Sequence, residues 1–159
     1  MALFHVAEAR LAEAAALGVQ GIAAGTPVLT LDGALPVEYL SPGDRVVTRA
    51  GARRIAQVEV TVIRNARMVR IAAGTLGVDR PPQDLLVSAA QWILLRDWRA
   101  KALYGAAQAM IPAARLCDGE LIRAEVVPEV RLYALVFDEP TVIYAGGLEL
   151  ACGALTVRA

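Results

Sequence analysis

Gly25-Thr26-Pro27-Val28-Leu29-Thr30-Leu31-Asp32-Gly33, followed two residues later by Pro36-Val37-Glu38-Tyr39-Leu40-Ser41-Pro42-Gly43-Asp44-Arg45-Val46-Val47-Thr48-Arg49, packs three short apolar runs and two strong turn signals into 25 residues. Val28-Leu29-Thr30-Leu31 reads as a strand, because branched and apolar side chains fit a pleated, half-buried surface. Asp32-Gly33 ends it, since Asp bonds its own backbone and Gly takes positive φ without a steric penalty. The chain resumes as an extended piece over residues 36–40, and Ser41-Pro42-Gly43-Asp44 turns it again. Arg45-Val46-Val47-Thr48 is the next strand, and Ala50-Gly51 the next reversal.

The same texture continues downstream. Residues 58–63 alternate as Val-Glu-Val-Thr-Val-Ile, the period of a half-buried strand, and Met68-Val69-Arg70-Ile71 gives another. Residues 85–88 and 92–95 are apolar strands. The alanine-rich residues 101–110 read as a short helix or an ordered loop. Ile111, Leu116, Leu121-Ile122 and Val126-Val127 supply brief extended pieces, residues 130–137 and 141–145 two clear strands, and residues 155–157 a final one. Short strands with closely spaced turns predict an all-β body, and no strand–helix–strand alternation supports a nucleotide-binding sheet. Ahead of it, Leu3, Val6, Ala7, Leu11, Ala14 and Leu17 fall at spacings of three and four, so residues 3–17 read as one amphipathic helix stopped by Gly18. The expected organisation is a helix over 1–18 and a β-domain over 19–159.

Bulk composition narrows the function classes. The 159-residue chain is 57% hydrophobic, 20% charged and has a formal net charge of +0, so no global field favours nucleic acid or an anionic membrane. The helix lacks the basic polar face of a membrane-binding one. Glu8, Arg10 and Glu13 interrupt any secretory apolar stretch, and no segment reaches the roughly 20 apolar residues of a membrane helix. A soluble cytoplasmic protein is expected by default. Cys117 and Cys152 are too few and too separated for a disulfide framework, and His5 is the only histidine, so no metal and no cofactor are expected.

The opening run resembles the start of a Hedgehog/intein (Hint) domain, in which a nucleophile precedes G-T-x-V-x-T-x-D-G and then P-V-E-x-L-x-x-G-D-x-V-x-T. Later pieces follow in the matching order: Arg70-Ile71-Ala72-Ala73-Gly74-Thr75-Leu76-Gly77, Pro82-Gln83-Asp84-Leu85-Leu86-Val87-Ser88, Ile111-Pro112-Ala113-Ala114-Arg115-Leu116, Tyr133-Ala134-Leu135-Val136-Phe137-Asp138 and Val142-Ile143-Tyr144-Ala145-Gly146-Gly147-Leu148-Glu149. The likeness is to the short bacterial branch and spans about residues 19 to 150. It implies the compact all-β Hint fold of many short strands. It also implies self-processing, in which a Cys or Ser attacks the preceding carbonyl while a Thr/Ser-x-x-His pair assists, covalent catalysis that needs both partners.

Carried over position by position, the resemblance sets the nucleophile on Gly21, which has no attacking atom. Ser88 keeps the hydroxyl of the assisting motif, but Gln91 stands where its histidine is expected, and an amide does not titrate. A further histidine of this branch aligns with Pro140. The resemblance therefore implies a degenerate, non-autoprocessing module with a binding or structural role. Self-cleavage or acyl transfer through Ser88 or a cysteine, with Gln91 as hydrogen-bond donor, stays open beside it. A third expectation is that the Leu and Ala face of the first helix docks on its own β-domain, a second copy or a protein partner. A sealed apolar site would suit a relic, and an open cleft with convergent polar groups would suit ligand binding or catalysis.

Overall fold

The computed structural model describes residues 18–155; the helix expected over residues 3–17, and residues 156 and 157 of the expected last strand, lie outside them. Among the described residues the strands are β1 (Ile22–Ala23), β2 (Pro27–Thr30), β3 (Gly33–Pro36), β4 (Arg45–Thr48), β5 (Gly51–Arg54), β6 (Gln57–Ile71), β7 (Leu85–Ser88), β8 (Trp92–Leu95), β9 (Ala109–Pro112), β10 (Ile122–Val136), β11 (Thr141–Ala145) and β12 (Leu148–Cys152). One short helix, α1 (Trp98–Tyr104), follows β8. Asp97 caps it by accepting from the Arg99 N–H, and Gly105 ends it at φ 67.

Two sheets result, one ordered β1-β10-β6-β7 and one ordered β3-β2-β4-β11-β12-β8-β9 with β5 on the edge of β4. Every pairing of named strands is antiparallel, in keeping with turns that reverse the chain every few residues. Both sheets contribute to the main core: Val69, Ile71, Ile122 and Leu135 from the first, Val28, Val46, Ile93, Ile143 and Leu150 from the second. A smaller cluster of Ala23, Ala66, Met68 and Leu132 belongs to the first sheet alone.

Several expectations change: the helix or loop expected over 101–110 resolves into a helix that begins at Trp98 and ends at Tyr104 and a strand that begins at Ala109, and Leu116, expected in an extended piece, ends a 3-10 turn over Ala113–Leu116. The alternating run at 58–63 and the run at 68–71 are one strand, β6, and the pieces from 122 to 136 are likewise one strand, β10, paired with β6 along its length. The apparent break survives pairing because Asn65, at φ 50, lies between the paired residues Arg64 and Ala66, while Pro128, which has no N–H to offer, lies between Val127 and Glu129. The extended piece expected at 36–40 is instead a 3-10 turn over Val37–Tyr39. Val37 and Leu40 are both buried, and a separation of three is the period of that turn rather than of a strand. The last strand of the described chain is β12, and residue 155 is outside any strand.

The β11–β12 hairpin fixes β12, on which the candidate site depends. Its two-residue loop is Gly146-Gly147, both at positive φ (60 and 82), as a tight antiparallel reversal requires. A Cβ on Gly147 would lie 2.4 Å from the Pro82 ring and 3.2 Å from the Asp79 carbonyl, whereas one on Gly146 would meet only the movable tip of Leu85 at 2.7 Å. Gly147→Ala is therefore expected to lower stability by about 2–4 kcal/mol, left-handed strain plus overpacking, with Gly146→Ala costing less. Urea denaturation of the two variants checks the order.

Candidate functional site

Residues 88–91 carry the chain from β7 in one sheet to β8 in the other. The Gln91 N–H bonds the Ser88 carbonyl at 3.0 Å and closes a turn, while Ala89 N–H reaches the Arg67 carbonyl at 3.1 Å. On the far side, Ala113 and Ala114 donate to the Gln91 and Ala89 carbonyls at 2.8 and 3.1 Å. This turn brings Ser88 and Gln91 together at the junction of the sheets, and both are buried.

Their polar groups are committed to backbone. The Ser88 hydroxyl donates to the Val19 carbonyl, two residues ahead of Gly21, and accepts from the Ala90 N–H at 3.3 Å. The Gln91 amide nitrogen donates to the Trp92 and Ala151 carbonyls, each at 2.9 Å. Gln20 donates to the same Ala151 oxygen at 2.9 Å. Two side-chain amides thus converge on the peptide carbonyl that directly precedes Cys152.

Gly21 enters β1, whose Ile22 and Ala23 pair with Tyr133 and Leu132 of β10. A Cβ at Gly21 would lie 2.9 Å from the Leu132 Cβ, an atom fixed to the backbone of a paired strand. The position is closed to a side chain unless β1 or β10 shifts. Beside it opens a cleft of about 500 Å³, lined among others by Gln20, Gly21, Gln57, Glu59, Gln91 and Cys152. Gly21 thus borders an open cleft lined by both polar and apolar groups rather than a sealed apolar void. Pro140 lies exposed on the chain between β10 and β11 and does not line this cleft.

Neither cysteine is activated. Burial pushes the Cys152 thiol from its ordinary 9.0 up to about 12. Cys117 is raised by desolvation and then by neighbouring Asp118, whose own carboxyl is lowered by N–H groups of Ile122 and Glu120. A nucleophilic thiol needs the opposite shift. Of the other side chains singled out in the sequence, Arg64 and Arg70 pair with Glu129 and Glu125 across the β6–β10 ribbon, and Asp84 accepts from the Ala73 N–H at 2.9 Å. Trp98 is largely exposed, with the Arg99 guanidinium 4.7 Å from its ring centre. Among the described residues no group of three or more His, Cys, Asp or Glu side chains is arranged to hold a metal ion, and no helix is long and apolar enough to cross a membrane.

Two features escape the sequence reading. Gln20 is one, since nothing local marks it as a partner of β12. The other is Glu149, an acid inside the apolar run Leu148–Cys152, which is buried and ion-paired to Arg49, Arg80 and Arg96. A charge in a core strand is the signal that could have found it.

Solved structures with this architecture are intein folds. An intein-like domain from Clostridium thermocellum shares 15% identity with the chain, covering 85% of it and 99% of its own length at a TM-score of 0.63. The gp41-1 intein matches at 12% identity, 84% and 98% coverage and a TM-score of 0.57. The MchDnaB-1 intein matches at 17% identity, 81% and 98% coverage and a TM-score of 0.53. No curated protein matches the sequence. The family model described as Hint domain matches residues 21–152, and the chain belongs to that family.

Two outcomes test the junction. Gln91→Ala is expected to cost about 1–3 kcal/mol, and Gln20→Ala with Gln91→Ala more than the sum of the two, because only the pair strips the Ala151 carbonyl of both side-chain donors. A double-mutant cycle in urea measures it. The raised thiol pKa of Cys152 means that the unfolded chain loses its proton first. Stability from this group is full below pH 9 and falls by about 1.4 kcal/mol per pH unit towards pH 12. Wild type should therefore show a steeper alkaline loss than Cys152→Ala.

Proposed function

We propose that this Hint domain does not rearrange its own backbone and serves as a binding or structural unit, with the cleft beside Gly21 as the place for a ligand or partner segment. The observation that carries this reading is the close packing at Gly21. The position that the resemblance gives to the family's nucleophile has no side chain here, and the 2.9 Å approach of the Leu132 Cβ admits one only if β1 or β10 shifts. The state of its neighbours supports the same reading, because the Ser88 hydroxyl and both Gln91 amide hydrogens are already held by backbone carbonyls. An amide in place of an imidazole supplies hydrogen bonds but no proton at any ordinary pH.

One observation favours the second reading, acyl transfer through a cysteine. The Ala151 carbonyl accepts two amide donors, the arrangement that would stabilise an oxyanion. In that reaction the Cys152 thiol would add to the Ala151 carbonyl, break the 151–152 amide and leave a thioester on residue 151 with a free amine on Cys152. The buried, protonated thiol weighs against it.

Intact-mass spectrometry of purified protein, with and without hydroxylamine, separates the readings. A single unchanged species of 16.8 kDa is expected. Hydroxylamine-dependent cleavage at 151–152 that is lost in Cys152→Ala would establish the second reading. Gly21→Cys is expected to lower stability by about 1–3 kcal/mol through overpacking and still to yield one uncleaved species. Spontaneous cleavage at the 20–21 bond in wild type would sink the proposal.

A further inference from the structure

Glu149 stands out in the charge pattern of the whole molecule. Its side chain is 6% exposed, and its Oε2 accepts from Arg49 at 2.8 Å and Arg96 at 3.0 Å, with Arg80 3.5 Å from its Oε1. The other ion pairs among the described residues match one cation to one acid: Arg64 with Glu129, Arg70 with Glu125, Arg99 with Asp97. Here three cations share one carboxylate, a local excess of +3 − 1 = +2 in a chain whose net charge is +0.

The three arginines reach this point from separate segments. Arg49 follows β4, and its N–H is held by the Val142 carbonyl at 3.2 Å. Arg80 sits in the loop before β7, fixed by bonds to Gly77 and from Leu76. Arg96 follows β8. Each guanidinium meets Glu149 through a single nitrogen. A guanidinium carries five N–H donors, so each of the three keeps further donors beyond the nitrogen placed on Glu149. The side chains are 34%, 30% and 38% exposed, so each stays partly open to solvent while the buried Glu149 holds one nitrogen of each.

We propose that Arg49, Arg80 and Arg96 form a binding site for a phosphate group, organised from beneath by Glu149. Charge and shape both favour phosphate over a second carboxylate. A phosphate carries roughly −2 near neutral pH, which cancels the local excess. Its tetrahedral oxygens can meet donors arriving from three directions, whereas a carboxylate offers one plane. Glu149 has the further effect of fixing the guanidiniums before the ligand arrives, so less side-chain freedom is lost on binding. The site is independent of the Gly21 cleft, which none of the three arginines lines.

The test is a titration of the intact protein with inorganic phosphate and with methyl phosphate, against chloride at matched ionic strength, read by backbone amide NMR shifts at residues 49, 80 and 96. Saturable shifts confined to this cluster are expected with phosphate and absent with chloride. Tighter binding of methyl phosphate would mark an organic phosphoester as the ligand source, and tighter binding of inorganic phosphate the free ion. Arg80→Gln and Arg96→Gln each leave Glu149 with two guanidiniums, so both should fold and bind phosphate at least about tenfold more weakly, while Arg64→Gln binds as wild type. No saturable shift in wild type, or equal weakening by Arg64→Gln, would overturn the proposal and leave the cluster a structural ion network.

Discussion

Between β7 and β8 the chain passes from one sheet to the other in four consecutive buried residues, 88–91, and a buried passage cannot leave backbone groups bare. Each unmet donor or acceptor there would cost about 1–3 kcal/mol, a sizeable share of a small domain's stability. The N–H groups of Ala89, Ala90 and Gln91 are met by the Arg67 carbonyl, the Ser88 hydroxyl and the Ser88 carbonyl. Two side chains finish the passage: Ser88 ties it to the segment entering β1, and Gln91 ties it to β12. Hydroxyl and amide at these positions thus each satisfy backbone groups at the crossing, whatever chemistry the junction performs.

The parts of the fold legible in the sequence are those where an apolar run ends against a turn residue. β4, β7, β8 and β11 coincide with such runs residue for residue. The long strands were harder because length was the misleading cue. β6 and β10 form a ribbon whose outer stretch is solvated on both faces, so arginines, glutamates, Asn65 and Pro128 interrupt the pattern without interrupting the ladder. β5 is exposed at every residue and offers no hydrophobic alternation to read. β12 was hidden by Glu149, whose charge breaks an apolar run and is matched only by arginines far away in the chain.

The candidate site divides along the same line. The resemblance paired Ser88 with Gln91, and the structure brings the two together on one turn. Their partners were out of reach, since Val19 and Ala151 lie 69 and 60 residues away and meet them only because β1 and β12 are docked against the crossing from opposite sheets. Gly21 was legible as a missing side chain but not as a closed position; that depends on the register of β1 against Leu132. Pro140, aligned by resemblance alone, stands outside the cleft because the chain between β10 and β11 lies at the surface.

The proposed loss of self-processing and the retention of the fold have one physical origin. A neutral imidazole at position 91 would offer one N–H, and offering two would require it to be charged. The Gln91 amide offers two at every pH, and both are placed on carbonyls, one beside the turn and one on β12. Glycine at position 21 similarly admits β1 to ladder distance from β10, an approach that a side chain there would resist. Both features make the junction tighter and remove charge from it. Self-processing asks the reverse of the same place, with room for an attacking atom, a group that can give up a proton and a backbone bond held under strain. On the proposed reading each position answers the structural demand, and the surrounding turns and core need no change to accommodate it.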